Sequence, residues 1–204
     1  MVHREEFTGT LEPEGDYELL AFDDLDLSGQ DATSSRLLDC VLTRCRLDDV
    51  RLVDAHLIDT TITEAHGITV ELADATWRDV TLTDCRLGVI RAHGGALTRV
   101  TIRGGKIDYL NLRDARLERV GLIGVTIGDL DLVGCRATGL VISDCRIDRL
   151  DVTRARLEGA DLRGADLRAI DGLAGLAGAT ISSEQMVALA PALAAQLGID
   201  VSDA

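Results

Sequence analysis

Five cysteines, four histidines and one Gly-Gly-Lys triplet are the parts of this 204-residue chain that could carry chemistry. Converging thiolates and imidazoles bind zinc or act as nucleophile and base, and a glycine loop ending in Lys cradles phosphate. The spacing opposes each use. Cys40, Cys45, Cys85, Cys135 and Cys145 all share one phase of a five-residue repeat, with no Cys-x-x-Cys pair among them, so they read as small inward apolar residues. A phosphate loop built on Gly104-Gly105-Lys106 needs Gly at 100 and Ser or Thr at 107, where this chain has Val100 and Ile107. His56 and His66 lie two units apart, hence on opposite faces, and His93 is a coil or more away. The acids are scattered among arginines rather than paired. No catalytic, metal or cofactor site is expected, and the chain reads as a non-enzyme.

The elements that position these residues follow from the beat itself. Stepping by five from Phe22 to Leu167 gives 30 central positions, of which 26 are Leu, Ile, Val, Phe or Trp. Two residues before each centre, 25 of 30 are Ala, Val, Ile, Leu or Cys, and no insertion breaks the phase. Two buried positions two apart fit a short extended segment followed by a turn. Four such segments close a coil of twenty, which predicts columns of stacked residues. Positions 50, 70, 90, 110, 130, 150 and 170 are all Val, Ile or Leu, whereas 35, 55, 75, 95, 115, 135 and 155 are Ser, Ala, Gly or Cys. A beat of five alone would not separate a large column from a small one. Ala32, Gly67, Ala92 and Ala137 interrupt the central columns, and for Gly67 the sequence offers no reason.

The units Ala160-Asp161-Leu162-Arg163-Gly164 and Ala165-Asp166-Leu167-Arg168-Ala169 resemble the pentapeptide-repeat family. That resemblance implies an all-β solenoid, a right-handed quadrilateral β-helix of about seven and a half coils over residues 20–170. Residues 1–19 are expected to form an N-terminal cap, with strands at FTGTL and DYELLAF around a turn at Pro13, and residues 171–204 a C-terminal helical module. Ser182-Ser183-Glu184-Gln185 predicts a capping box. Met186, Leu189, Leu193 and Leu197 follow at helical spacing, Gly198 stops the run, and Pro191 is expected to kink or split it. Besides covering the rod end, this module resembles one that joins two chains in family members, which implies a homodimer. Eight unit-closing glycines, Gly29, Gly94, Gly104, Gly124, Gly134, Gly139, Gly159 and Gly164, are expected at positive φ.

With chemistry absent, function is expected on a surface. The net charge is −14, but residues 1–36 hold 10 acids against 2 bases, residues 37–170 hold 21 against 19, and residues 171–204 hold 4 against none. The body is almost neutral and no face imitates a phosphate backbone. Direct nucleic-acid binding is therefore disfavoured, and no apolar stretch of membrane-spanning length occurs. The expected location is cytoplasmic. Two faces stand out as candidate partner surfaces: a flat one bearing Thr61, Thr63, Thr81, Thr83 and Thr101, and a basic ladder of Arg46, His66, Arg86, Lys106 and Arg146. Resemblance to quinolone-resistance members implies a DNA gyrase or related topoisomerase partner met by DNA mimicry. A scaffold with a different protein partner fits the neutral body equally.

Overall fold

The computed structural model describes residues 3–200; residues 1–2 and 201–204 of the end segments lie outside it. Strand pairing is parallel throughout, and from Asp16 onward partners stand twenty residues apart, as in Asp16↔Arg36, Thr61↔Thr81 and Leu150↔Ile170. One bulge near Ser143 breaks that count. The chain therefore winds as a four-walled parallel β-helix of about eight coils. Centres Tyr17 to Leu157 line the first wall, a continuous eight-stranded sheet. Phe22 to Leu162 line the second, Leu27 to Leu167 the third and Ala32 to Val152 the fourth. At ~4.8 Å per coil the stack is about 35 Å tall.

The centres and pre-centres of all four walls merge into one buried cluster running from Phe7 to Ala165. The large and small columns are in register: Val50, Val70, Ile90, Leu110, Leu130, Leu150 and Ile170 stack in turn on the fourth wall. Burial of each such aliphatic side chain contributes roughly 1.5–3 kcal/mol. So few aromatics suffice because the interior is a narrow column, not a broad core.

Apart from Gly164, three of the four corners turn through a left-handed residue two after each centre, and the chain places Asp, Arg, Ser, Glu, Gly and once Leu (Leu19, φ 56) there, for example Asp54 (φ 55), Asp84 (φ 53) and Gly134 (φ 67). The corner between third and fourth walls is different. Gly29 and Asp49 are left-handed, but from the third coil on the strand runs straight through, as in His66–Glu71, Arg86–Arg91 and Lys106–Asn111. Thr69, Val89 and Tyr109, whose branched or bulky side chains resist positive φ, occupy that corner first, and Asp129 and Arg149 follow the same straight course above them.

Gly67 sits at the switch between the two corner types. A Cβ there would lie 2.8 Å from the Leu47 carbonyl carbon and 2.9 Å from its oxygen, and the next amide, Ile68 N–H, donates to Asp48 Oδ1 at 2.8 Å. The upper coil settles close onto the tighter turn beneath it, which leaves no room for a side chain. Trp77, the largest fully buried side chain, is the centre on the opposite wall of the same coil, so its indole supplies volume where Gly67 has none. An apolar void of about 30 Å³ remains along this part of the axis.

Both ends depart from expectation. No strand forms at FTGTL; a short strand at Glu5–Glu6 pairs with Leu20 and Ala21, after which Phe7 and Leu11 turn inward. Phe7 stacks on Phe22 at 4.4 Å and edge-on to Tyr17 at 5.7 Å, because the open first coil needs a plug rather than another strand. At the far end, helix α1 (Ser183–Gln196) is unbroken despite Pro191 in its interior. Proline's missing donor leaves only the Val187 carbonyl unpaired, and Val187 is 75% exposed, so water takes its place. The predicted capping box is present. Yet α1 buries no residue, and the apolar end of the stack is covered instead by a 3-10 turn at Leu173–Leu176 and by Ala179 and Ile181. Seven of the eight unit-closing glycines have positive φ; Gly164 does not, and lies at the bulge where its Cβ would sit 3.0 Å from Ser143 Cα.

Candidate interaction surfaces

All five cysteines are buried and free, in inward-facing positions. Four of the thiols donate to carbonyls of the coil beneath or of the same corner: Cys40 to Tyr17 at 3.3 Å, Cys45 to Phe22 at 3.4 Å, Cys85 to Thr83 at 3.5 Å and Cys145 to Ser143 at 3.3 Å. Thr60 uses its hydroxyl in the same way, towards Ile58 at 3.0 Å. Burial pushes every thiol above the ordinary range, Cys135 to about 12. Such thiols are poor nucleophiles. No cluster of three metal-ligating side chains exists among the described residues.

A polar depression with a buried charge lies on the fourth wall and its corner, about 380 Å³, lined by Tyr109, Arg113, Asp129, Asp131, Arg149 and Asp151. Its buried carboxylate, Asp131, already accepts from the Tyr109 hydroxyl at 3.0 Å, Arg113 Nε at 2.6 Å and Val133 N–H at 3.1 Å. Burial, then the Asp131 hydrogen bond, raises the Tyr109 pKa. Both oxygens of Asp131 thus have partners within the protein.

Thr61, Thr81 and Thr101 stack in register on the second wall, as do Thr63 and Thr83 beside them. All are half-buried, forming a flat, uncharged grid on short strands such as Thr61–Thr63 and Thr81–Thr83. The basic ladder also stacks, on the third wall, but most of it is neutralised from within the same strand or turn. Arg46 meets Asp48 at 2.6 Å, Lys106 meets Asp108 at 2.7 Å and Arg146 meets Asp148 at 3.2 Å. In the coils of His66 and Arg86 the acid is replaced by Ile68 and Gly88, so Arg86 makes no ion pair among the described residues and Ile68 stands 65% exposed beside it.

Sequence reasoning missed a stronger cationic feature. Arg116, Arg136 and Arg156 are stacked directly on one another along the first wall, all exposed. The signal was available as one residue type recurring every twenty positions, but in a single sequence three arginines among nineteen body cations do not stand out until the strands are paired.

At the rod end, Met186 is 49% and Leu197 75% exposed, while Leu189 and Leu193 are half-buried. Gln185 anchors the helix: its amide donates to the carbonyls of Leu162 and Ala165, each at 2.7 Å. No helix is long and apolar enough to cross a membrane.

The family model described as pentapeptide repeats matches residues 142–171, with eight copies. No curated protein matches the chain. Among solved structures, a trypsin-treated variant of QnrB1, a plasmid-mediated fluoroquinolone resistance protein, is similar at 17% identity, covering 97% of this chain and 96% of that one, with a TM-score of 0.44. HetL, a pentapeptide-repeat protein involved in heterocyst differentiation regulation from Nostoc sp. strain PCC 7120, is similar at 20% identity over 80% of this chain and 89% of its own, with a TM-score of 0.23. The fold rests on the strand pairing, not on these scores. Residues 142–171 match the pentapeptide-repeat model, and the same five-residue register runs through every wall from Phe22 to Leu167, so the fold is the quadrilateral β-helix of such repeats.

Proposed function

We propose that this protein is a non-catalytic interaction rod, joined in pairs through α1, whose protein partner is a type II topoisomerase. The observation that carries the interaction reading is α1 itself. A helix of Met, Val, Leu and Ala that buries nothing, fixed to the rod through Gln185, is an apolar surface without a partner in the single chain. Pairing two copies through Met186, Leu189, Leu193 and Leu197 would cover it and double the rod. Light scattering at tens of micromolar tests this, a monomer being the adverse result.

The topoisomerase assignment rests on the family resemblance. Duplex DNA presents roughly 20 charges over 35 Å, one per ~1.7 Å, and the acids here concentrate at the N-terminal end. The near-neutral walls favour a second reading, a cytoplasmic scaffold for a different protein, with the threonine grid and Arg46, Arg86 and Lys106 as its contact surface. A gyrase supercoiling and cleavage assay, with and without a fluoroquinolone, separates the two. Inhibition or protection near micromolar concentration supports the topoisomerase partner; no effect at about a hundred times that level removes it. Loss of partner binding in Thr81→Glu, with unchanged melting, would place the contact on the second wall.

A further inference from the structure

The first wall is electrically two-sided along its length. On this wall and its two corners, the segments 14–19, 34–39, 54–59 and 74–79 carry eight acids against two arginines, whereas 94–99, 114–119, 134–139 and 154–159 carry six arginines against three acids. Little of this is neutralised in place. Glu14, Glu18, Asp39, Asp59 and Asp74 make no ion pair among the described residues, and neither do Arg116, Arg136, Arg154 and Arg156; the local pairs are Asp16–Arg36, Asp79–Arg99 and Glu118–Arg119. Three arginines in adjacent register repel one another, and like charges directly opposite destabilise a sheet. On the third wall such a ladder is paired by acids two residues on; here Glu118 and Glu158 hold the same place in the strand, but Glu118 pairs with Arg119 and neither acid pairs with the arginine column.

From this placement we infer that the first wall is a self-complementary surface that takes a second copy of the same chain, antiparallel, about a two-fold axis near the middle of the rod. Only that orientation lays the acidic half of each copy on the arginine half of the other, and a two-fold contact uses one patch on both sides. The wall suits it: a continuous eight-stranded sheet with no interrupting loop. Eight strands at ~4.8 Å and a width of about 15 Å give roughly 500 Å² per copy, or ~1,000 Å² in all, at the lower edge of specific interfaces. The association is therefore weak and electrostatic.

Salt decides its range. At 0.15 M the Debye length is ~8 Å, so facing charges within a few ångströms still attract, while charges farther away than that on other walls are largely screened. At 1 M, with a screening length of ~3 Å, the attraction is lost. This contact is independent of α1, and a chain able to make both would assemble beyond the dimer.

The test uses the full-length chain with Leu193→Glu, which removes the apolar helix surface, checked for an unchanged β spectrum and melting. Sedimentation velocity at about 100 μM should show mass rising above 21.8 kDa at 0.1 M NaCl and returning to monomer at 1 M. Adding Arg136→Glu and Arg156→Glu should weaken association more than tenfold, Arg146→Glu on the third wall should leave it within twofold, and Arg156→Glu with Glu18→Arg, in the coil that the two-fold sets against it, should regain part of the loss Arg156→Glu causes. Should Leu193→Glu disturb folding, the arginine variants are compared in the wild-type chain, where the step beyond the helix-joined dimer is read instead. A Leu193→Glu chain that stays monomeric at both salts would overturn the first-wall contact while leaving the α1 dimer standing. Association indifferent to Arg136→Glu and Arg156→Glu would also overturn it.

Discussion

Gly67→Ala isolates the most local claim made about the stack. The added Cβ would lie 2.8 Å from the carbonyl carbon of Leu47, a backbone atom that cannot rotate away. Overpacking of this kind costs about 1–3 kcal/mol, against which alanine gains about 0.4–1 kcal/mol by restricting the unfolded chain. Because the contact is with backbone, the cost lies in the upper part of that range, about 2–3 kcal/mol, and the net loss, roughly 1–2.6 kcal/mol, lowers Tm by about 2–10 °C for a chain of this length. Thermal unfolding followed by circular dichroism gives the number. The emission of Trp77, on the facing wall of the same coil, reports whether the coil has shifted. Gly121→Ala is the control. Its Cβ would meet nothing nearer than Ile123 Cδ1 at 3.6 Å, in a strand without positive φ, so Tm should hold or rise slightly. Equal melting of Gly67→Ala and wild type would refute the close-approach account and return the gap in the central column to an unexplained one.

Other expectations follow from the same structure. Leu122→Asp places a carboxylate on a fully buried centre of the second wall and should unfold the stack locally or wholly; a wild-type melting curve would mean the register is wrong. Cys135 is neutral in the folded state up to about pH 12, against an ordinary value of 9.0, so the folded chain holds more protons between those values. Stability should be full below about pH 9 and fall as pH rises towards 12, and Cys135→Ala should flatten that fall in urea titrations; an unchanged slope would show the thiol to be accessible. Gln185→Leu removes the donor shared by the Leu162 and Ala165 carbonyls, so amides of 183–196 should exchange faster while the coils before residue 140 keep their protection; uniform protection would mean that α1 is held by other contacts.

The walls, their register and the inward phase of the cysteines could be read from the chain because each depends on one residue and its copy twenty positions away. Val50, Val70 and Ile90 must stack once the period is twenty, whatever the rest of the fold does. The glycine corners were nearly as plain, whereas Asp at the same left-handed positions, and the straight run through Thr69, Val89 and Tyr109, came to light only with the backbone. Gly67 was opaque because its cause is the distance between two backbones in successive coils, and no side chain records that. The plug at Phe7 and the lid at Leu173–Leu176 were misplaced for a related reason. End segments have no neighbouring repeat to fix them, and they settle wherever an apolar end is left open. Pro191 was judged by its local rule, whereas an exposed helix can lose one hydrogen bond to water. The arginine column of the first wall was written in the sequence as three letters twenty apart, but its meaning is collective. Periodicity determined the architecture because hydrophobic burial repeats with the chain; pairing and exposure decided which charges remain unneutralised, because an ion pair depends on what the fold brings within 4 Å.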